Sequence, residues 1–133
     1  MQHVERCRVV LIDDNEDVAD SLAELLRLKG HEVHVALEGL EGIRAVESLR
    51  PDVVLWDLGL PEIDGFMIAR LLREYLGYGT TLVAVTGFAS ADYEREAIDA
   101  GFDYYLVKPI DLTVLEWILA RAAGTRDANH VIP

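Results

Sequence analysis

Four short, unbroken apolar runs punctuate this chain: Val9-Val10-Leu11-Ile12, Val53-Val54-Leu55-Trp56, Leu82-Val83-Ala84-Val85 and Tyr104-Tyr105-Leu106-Val107. Continuous β-branched or aromatic runs of this length read as strands buried on both faces, the habit of parallel sheets. A fifth segment, Glu32-Val33-His34-Val35-Ala36, alternates polar with apolar, as a half-exposed edge strand does. Between the runs the apolar spacing changes to that of helices. Val18, Leu22, Leu25 and Leu26 lead to a stop at Gly30, and Leu40, Ile43, Val46 and Leu49 to one at Pro51. Phe66, Ala69, Leu72 and Tyr75 precede Gly77 and Gly79, and Tyr93, Ala97 and Ala100 precede Gly101. Leu112, Leu115, Ile118, Leu119 and Ala122 mark the last helix, with a stop expected at Gly124. Five β-α units in succession require parallel crossovers, and hence an open α/β sheet covered by helices on both faces. They are too few to close an eight-stranded barrel.

Length and charge narrow the class further. A chain of 133 residues that is 51% hydrophobic has room for one packed domain. Its 12 Lys and Arg against 24 Asp and Glu leave −12, an acidic balance that argues against direct binding to nucleic acid or an anionic membrane. The single cysteine, Cys7, forms no internal disulfide and reads as a small core residue. No apolar run approaches the roughly 20 residues of a membrane span, and no secretory segment follows Met1. The expectation is a cytoplasmic domain over residues 1–124, with 125–133 as an aperiodic tail or the start of a linker.

In open α/β sheets, ligands bind beyond the carboxyl ends of the strands. Strand one ends there in Asp13-Asp14, strand three in Asp57, strand four in Thr86-Gly87 and strand five in Lys108-Pro109, whereas strand two brings nothing polar. Taken singly, each has a plain explanation: Asp14 or Asn15 as a helix cap, Thr86 as turn chemistry, Lys108 as a solvated amine. Together they form a constellation, because independent surface residues would not all fall at the carboxyl ends of different strands. Three carboxylates repel one another, and one lysine cannot neutralise them. A hard divalent cation can, and metal, carboxylate, hydroxyl and lysine are the parts of a phosphoryl-transfer site. Competing motifs are missing. Two acids follow strand one where a dinucleotide site needs glycines, and there is no Walker A sequence. His31 and His34 are three apart on an expected strand and make a poor metal pair, while His3 and His130 fall near the chain ends.

At this point residues 7–123 resemble the receiver domain of two-component response regulators. The resemblance rests on Asp13-Asp14, Asp57-Leu58-Gly59-Leu60-Pro61 with Asp64-Gly65, Thr86-Gly87 and Lys108-Pro109. It implies a flavodoxin-like (βα)5 fold of strand order 2-1-3-4-5. It implies that Asp57 accepts a phosphoryl group from a phosphohistidine on a sensor histidine kinase or histidine phosphotransfer protein. Asp13, Asp14, Asp57 and the main-chain carbonyl of Gly59 would hold Mg²⁺ or Mn²⁺, and Lys108, preceding a cis proline bond, would pair with the phosphoryl oxygens. Thr86 and Tyr105 would switch on phosphorylation, repacking the face made by the fourth helix, fifth strand and fifth helix, through which weak self-association is also expected. Gly59 and Phe88 depart from many relatives and are expected to tune the phosphate's lifetime. Trp56 is expected to pack in the core and to report metal binding.

Two other readings compete. A Mg²⁺-dependent phosphatase of the haloacid-dehalogenase type also uses a nucleophilic Asp, but needs Asp-x-Asp after its first strand and a cap domain. A degenerate receiver that only docks partners would lack some of the functional side chains, all of which are present. The leading reading is thus a signalling switch rather than an enzyme, acting on a downstream protein or fused domain. Nothing after Gly124 is long enough for an output domain, so the chain reads as a free-standing regulator or the receiver of a longer protein, with the Asp57–Gly65 stretch closest to receivers of hybrid histidine kinases.

Overall fold

The computed structural model describes the backbone of residues 6–131 and side chains as far as Ala123. The elements alternate strictly: β1 (Arg8–Ile12), α1 (Glu16–Leu28), β2 (Glu32–Ala36), α2 (Gly39–Leu49), β3 (Val53–Asp57), α3 (Gly65–Leu76), β4 (Thr81–Thr86), α4 (Ala91–Ala100), β5 (Tyr104–Val107) and α5 (Leu112–Val131). The strands form one parallel sheet in the order β2-β1-β3-β4-β5. Val9 sits opposite both Val33 and Val53, and Val53 opposite Thr81.

The two-residue side-chain period of the strands divides the core in two. Val9, Leu11, Val53, Leu55, Val83 and Val85 pack with Leu22 and Leu26 of α1 and with Leu115, Ile118 and Leu119 of α5. Val10, Ile12, Val54, Trp56, Leu82 and Ala84 pack with Val46 of α2, Phe66 and Leu72 of α3, and Ala97 of α4. Each fully buried aliphatic side chain contributes about 1.5–3 kcal/mol, so the central strands anchor the fold. Helix starts are set by short polar side chains. Asn15 accepts from the Val18 N–H, Asp64 from the Phe66 N–H, Ser90 from the Tyr93 N–H and Asp111 from the Thr113 N–H. All four caps lie at the carboxyl edge of the sheet, where the loops are.

Four expectations are corrected, and one burial, that of Arg73, had no expectation attached. Val18, Leu25, Leu40 and Tyr75 are exposed, and the small residues Ala19, Ala23, Gly42 and Ala45 face the sheet instead. The reason is close approach: a Cβ on Gly42 would stand 2.6 Å from Ile12 Cγ1. β5 is not buried on both faces, because it is the sheet's outer strand, beyond β4. α3 buries a charged residue, Arg73, at its carboxyl end. α5 continues past Gly124 to Val131, since one helical glycine costs only about 1 kcal/mol and no proline intervenes before Pro133. His31 precedes β2 rather than lying on it, and its Nδ1 accepts from the Cys7 N–H at 3.1 Å.

Candidate functional site

The residues expected at the carboxyl edge do converge there. Asp57 is the last residue of β3 and Thr86 the last of β4, while Asp13 directly follows β1 and Lys108 directly follows β5. Asp13, Asp57 and Thr86 are buried, whereas Asp14 is exposed. Neighbouring strands in a parallel sheet lie about 4.8 Å apart, so side chains leaving β1 and β3 at the same level must meet. Carboxylate oxygens of Asp13, Asp14 and Asp57 all lie within 4.8 Å of one another.

Lys108 bridges the two buried acids. Its Nζ donates to Asp13 Oδ2 and to Asp57 Oδ2, each at 3.2 Å. The other oxygen of each acid is held by a main-chain amide, Asn15 N–H on Asp13 Oδ1 at 2.9 Å and Gly59 N–H on Asp57 Oδ1 at 2.8 Å. Each carboxylate is thereby fixed in orientation. The Lys108–Pro109 bond is cis, as expected. A Cβ on Gly59 would stand 3.2 Å from Asp57 Oδ1, so the missing side chain leaves the acceptor oxygen uncrowded.

The electrostatics are those of an undercompensated anionic pocket. Burial pushes the Asp57 pKa up, the Gly59 N–H opposes this, Asp13 adds to it and Lys108 opposes it, with a net rise. Burial would lower Lys108, but its bonds to Asp13 and Asp57 outweigh that and hold its ammonium above the ordinary lysine value. Three carboxylates against one ammonium leave a local charge of −2. Oxygen donors with this excess suit a hard divalent cation such as Mg²⁺ or Mn²⁺.

Thr86 and Tyr105 are both tied to one loop. Thr86 Oγ1 accepts from the Phe88 N–H at 3.1 Å, and the Tyr105 hydroxyl donates to the Phe88 carbonyl at 2.6 Å. Phe88 itself is 63% exposed. Its ring meets Tyr93 edge-on at 5.9 Å, and Tyr93 also meets Phe66 at 5.1 Å and Tyr105 at 6.3 Å. Tyr93, read from the sequence only as a helix-stripe residue, is therefore the hub of the aromatic cluster. Helical periodicity gave its inward face but not its three partners, which come from α3, the β4–α4 loop and β5. Trp56 is buried as expected, and its Nε1 has no hydrogen-bond partner. Beside Asp57 opens a largely apolar groove of about 650 Å³, lined by Val18, Leu22 and Leu25 of α1 and by Pro109, Ile110 and Leu112.

The family model described as the response regulator receiver domain matches residues 9–120. The chain belongs to that family. Among curated proteins, this receiver domain is 36% identical over 108 residues to the transcriptional regulatory protein PrrA of Mycobacterium tuberculosis, covering 81% of the chain and 46% of the relative. It is 32% identical to the DNA-binding dual master transcriptional regulator RpaA of Synechocystis, covering 95% of the chain and 52% of the relative. The chain thus spans about half the length of these relatives. Among solved structures, the CheY-like receiver domain protein of Methanospirillum hungatei superposes with a TM-score of 0.82 at 26% identity, covering 92% of this chain and 97% of that one. The BeF3-activated receiver domain of Klebsiella pneumoniae RstA superposes with a TM-score of 0.79 at 25% identity, covering 87% of this chain and 97% of that one. Receiver domains are signalling domains rather than conventional enzymes, which sets aside the dehalogenase-type phosphatase. Among the described residues no helix is long and apolar enough to cross a membrane.

Proposed function

We propose that this receiver domain is a phosphorylation-dependent switch in which Asp57 accepts a phosphoryl group from a phosphohistidine of a sensor histidine kinase or histidine phosphotransfer protein. The observation that carries this reading is the joint hold of Lys108 on Asp13 and Asp57 at 3.2 Å, with the Asp14 carboxylate alongside. Asp57 Oδ forms the new O–P bond as the P–N bond of the phosphohistidine breaks, and the departing imidazole keeps the electron pair and gains a proton. Lys108 then offers its charge to the phosphoryl oxygens. Asp13, Asp14, Asp57 and the Gly59 carbonyl would hold Mg²⁺ or Mn²⁺, which when bound neutralises oxygen charge and aligns the phosphoryl group. The apolar groove beside α1 suits a helical face of the donor.

The phosphoryl group adds roughly −1.5 to −2 charges and new acceptor oxygens. The Thr86 hydroxyl carries a proton to donate to one of them, and doing so draws on the loop that the Phe88 main chain ties to both Thr86 and Tyr105. The α4–β5–α5 face would repack in response, an equilibrium that phosphate biases. Val107, Val114 and Trp117 expose apolar surface there, suited to weak self-association or to a downstream protein or fused domain.

Incubation with acetyl phosphate and Mg²⁺, followed by intact mass measurement, tests the reading. One phosphoryl adduct that disappears in Asp57→Asn supports the switch. Multiple turnover of the donor would point to a phosphatase, and an unmodified chain to a docking module.

A further inference from the structure

The amino end of the sheet carries a second polar cavity, of about 700 Å³, remote from Asp57. β1 alone, five residues long, separates the two ends by about 16 Å. Four arginines line this cavity, Arg6, Arg8, Arg27 and Arg50, a third of the twelve cationic residues of a chain with net charge −12. Glu32 and Asp52 also line it, so the four arginines outnumber the acids and the local balance is opposite in sign to the whole. Arg8 Nε pairs with Glu32 at 3.0 Å, and the Arg8 main-chain N–H bonds Asp52. Among the described residues, Arg27 donates to the Val33 carbonyl through Nη2, and Arg50 lies over the Tyr75 ring and donates to its hydroxyl through Nη2, with no other bond from either guanidinium. Each of those two guanidiniums is held in place while most of its five N–H donors are uncommitted.

His31 completes the arrangement. Because its Nδ1 accepts from the Cys7 N–H, the ring proton resides on Nε2, a further donor. Its pKa is lowered by burial, with Glu116 opposing and Lys29 adding to the drop, which favours the neutral ring.

We propose that this cavity binds a small phosphorylated anion. Planar guanidinium forks match phosphate oxygens in pairs, and the volume falls within the range of small-molecule sites, more than a lone phosphate fills. Arg27 and Arg50 are the primary binding residues, with His31 Nε2 donating beside them. No function derived for the carboxyl edge uses these groups.

The test is a titration of the ¹⁵N-labelled chain with pyrophosphate and, separately, with ADP, in EDTA, following backbone amide shifts. The expected result is saturable shifts centred on Arg27, His31 and Arg50. The double variant Arg27→Gln, Arg50→Gln should bind at least about tenfold more weakly, and Arg27→Lys, which keeps charge but loses the fork, should fall between. The double variant should still be phosphorylated at Asp57 by acetyl phosphate, showing that it is folded. Tighter binding of ADP assigns the site to nucleotides, and equal binding assigns it to the phosphate group itself. Absence of saturation, shifts centred on Asp13 and Asp57, or undiminished binding by the double variant would overturn the proposal.

Discussion

Asp57 holds a charge where the fold penalises it. Burial raises its pKa, and the Gly59 N–H and Lys108 only partly offset the rise from burial and Asp13. A carboxyl whose pKa is raised by folding binds its proton more tightly in the native state. Stability therefore falls as pH rises from the ordinary carboxylate range through the raised value, and the whole penalty is present above it. Without metal, Asp57→Asn should melt higher than the native chain at pH 7. The difference should vanish once pH drops below the ordinary carboxylate range. Thermal melts in EDTA across pH check this, and an equal or lower midpoint for the variant at pH 7 would contradict it. Mg²⁺ should act in the opposite sense. At a hundredfold excess over its Kd it stabilises the native chain by about 2.7 kcal/mol, and the variant less. The role proposed for Phe88 is in the phosphate's lifetime instead. Its exposed apolar ring offers nothing that holds a water near Asp57, so Phe88→Asn should shorten the phosphoaspartate half-life by about threefold, or roughly 0.7 kcal/mol of barrier. An unchanged half-life would remove Phe88 from the kinetics. That Asp13, Asp57, Thr86 and Lys108 belong together was legible in the sequence, because each directly follows an apolar run and a parallel sheet brings the ends of such runs to one edge.

Among the elements, the joint between α3, β4 and β5 depends on one buried cation. Arg73 donates to the carbonyls of Gly77, Thr80 and Gly101 at 2.7–2.8 Å and pairs with Asp103, whose carboxylate also accepts from the Leu82 N–H. These bonds tie the carboxyl end of α3 to the turn before β4 and to the turn between α4 and β5. Arg73→Met would leave three carbonyls and a carboxylate without their cation, and should cost about 3 kcal/mol or more. Urea unfolding measures this, and a loss under about 1 kcal/mol would contradict the clamp. Gly42→Ala tests the close seat of α2 on β1. Its Cβ would fall 2.6 Å from Ile12 Cγ1, so overpacking should cost about 1–3 kcal/mol. Neither feature was legible from helical periodicity. Arginine reads as a surface residue and glycine as a helix breaker, and only the neighbours supplied by other elements reverse those readings.

At the scale of the molecule, the sheet carries separate chemistry at its two edges, an acidic cluster at the carboxyl end and an arginine-lined cavity at the amino end. In the proposed switch, the signal from Asp57 would pass through the β4–α4 loop, where the Phe88 main chain contacts both Thr86 and Tyr105. Thr86→Ala should leave Asp57 phosphorylation intact yet abolish the phosphate-induced change in Tyr105 ring shifts, read by NMR with and without acetyl phosphate. A full Tyr105 response in that variant would refute the coupling.

The number and order of β-α units, the burial of the central strands and the gathering of acids at one edge were determined by the sequence itself. They follow from run length and period, which are properties of consecutive residues. The tertiary structure alone decided that β5 is only half-buried, that alanines and glycines rather than Val18 or Leu40 face the sheet, and that Arg73 is buried. It alone brought Tyr93 among its three aromatic partners and four arginines around one cavity. The physical reason is shared: each depends on residues from separate elements, and sequence spacing carries no record of which distant groups will meet.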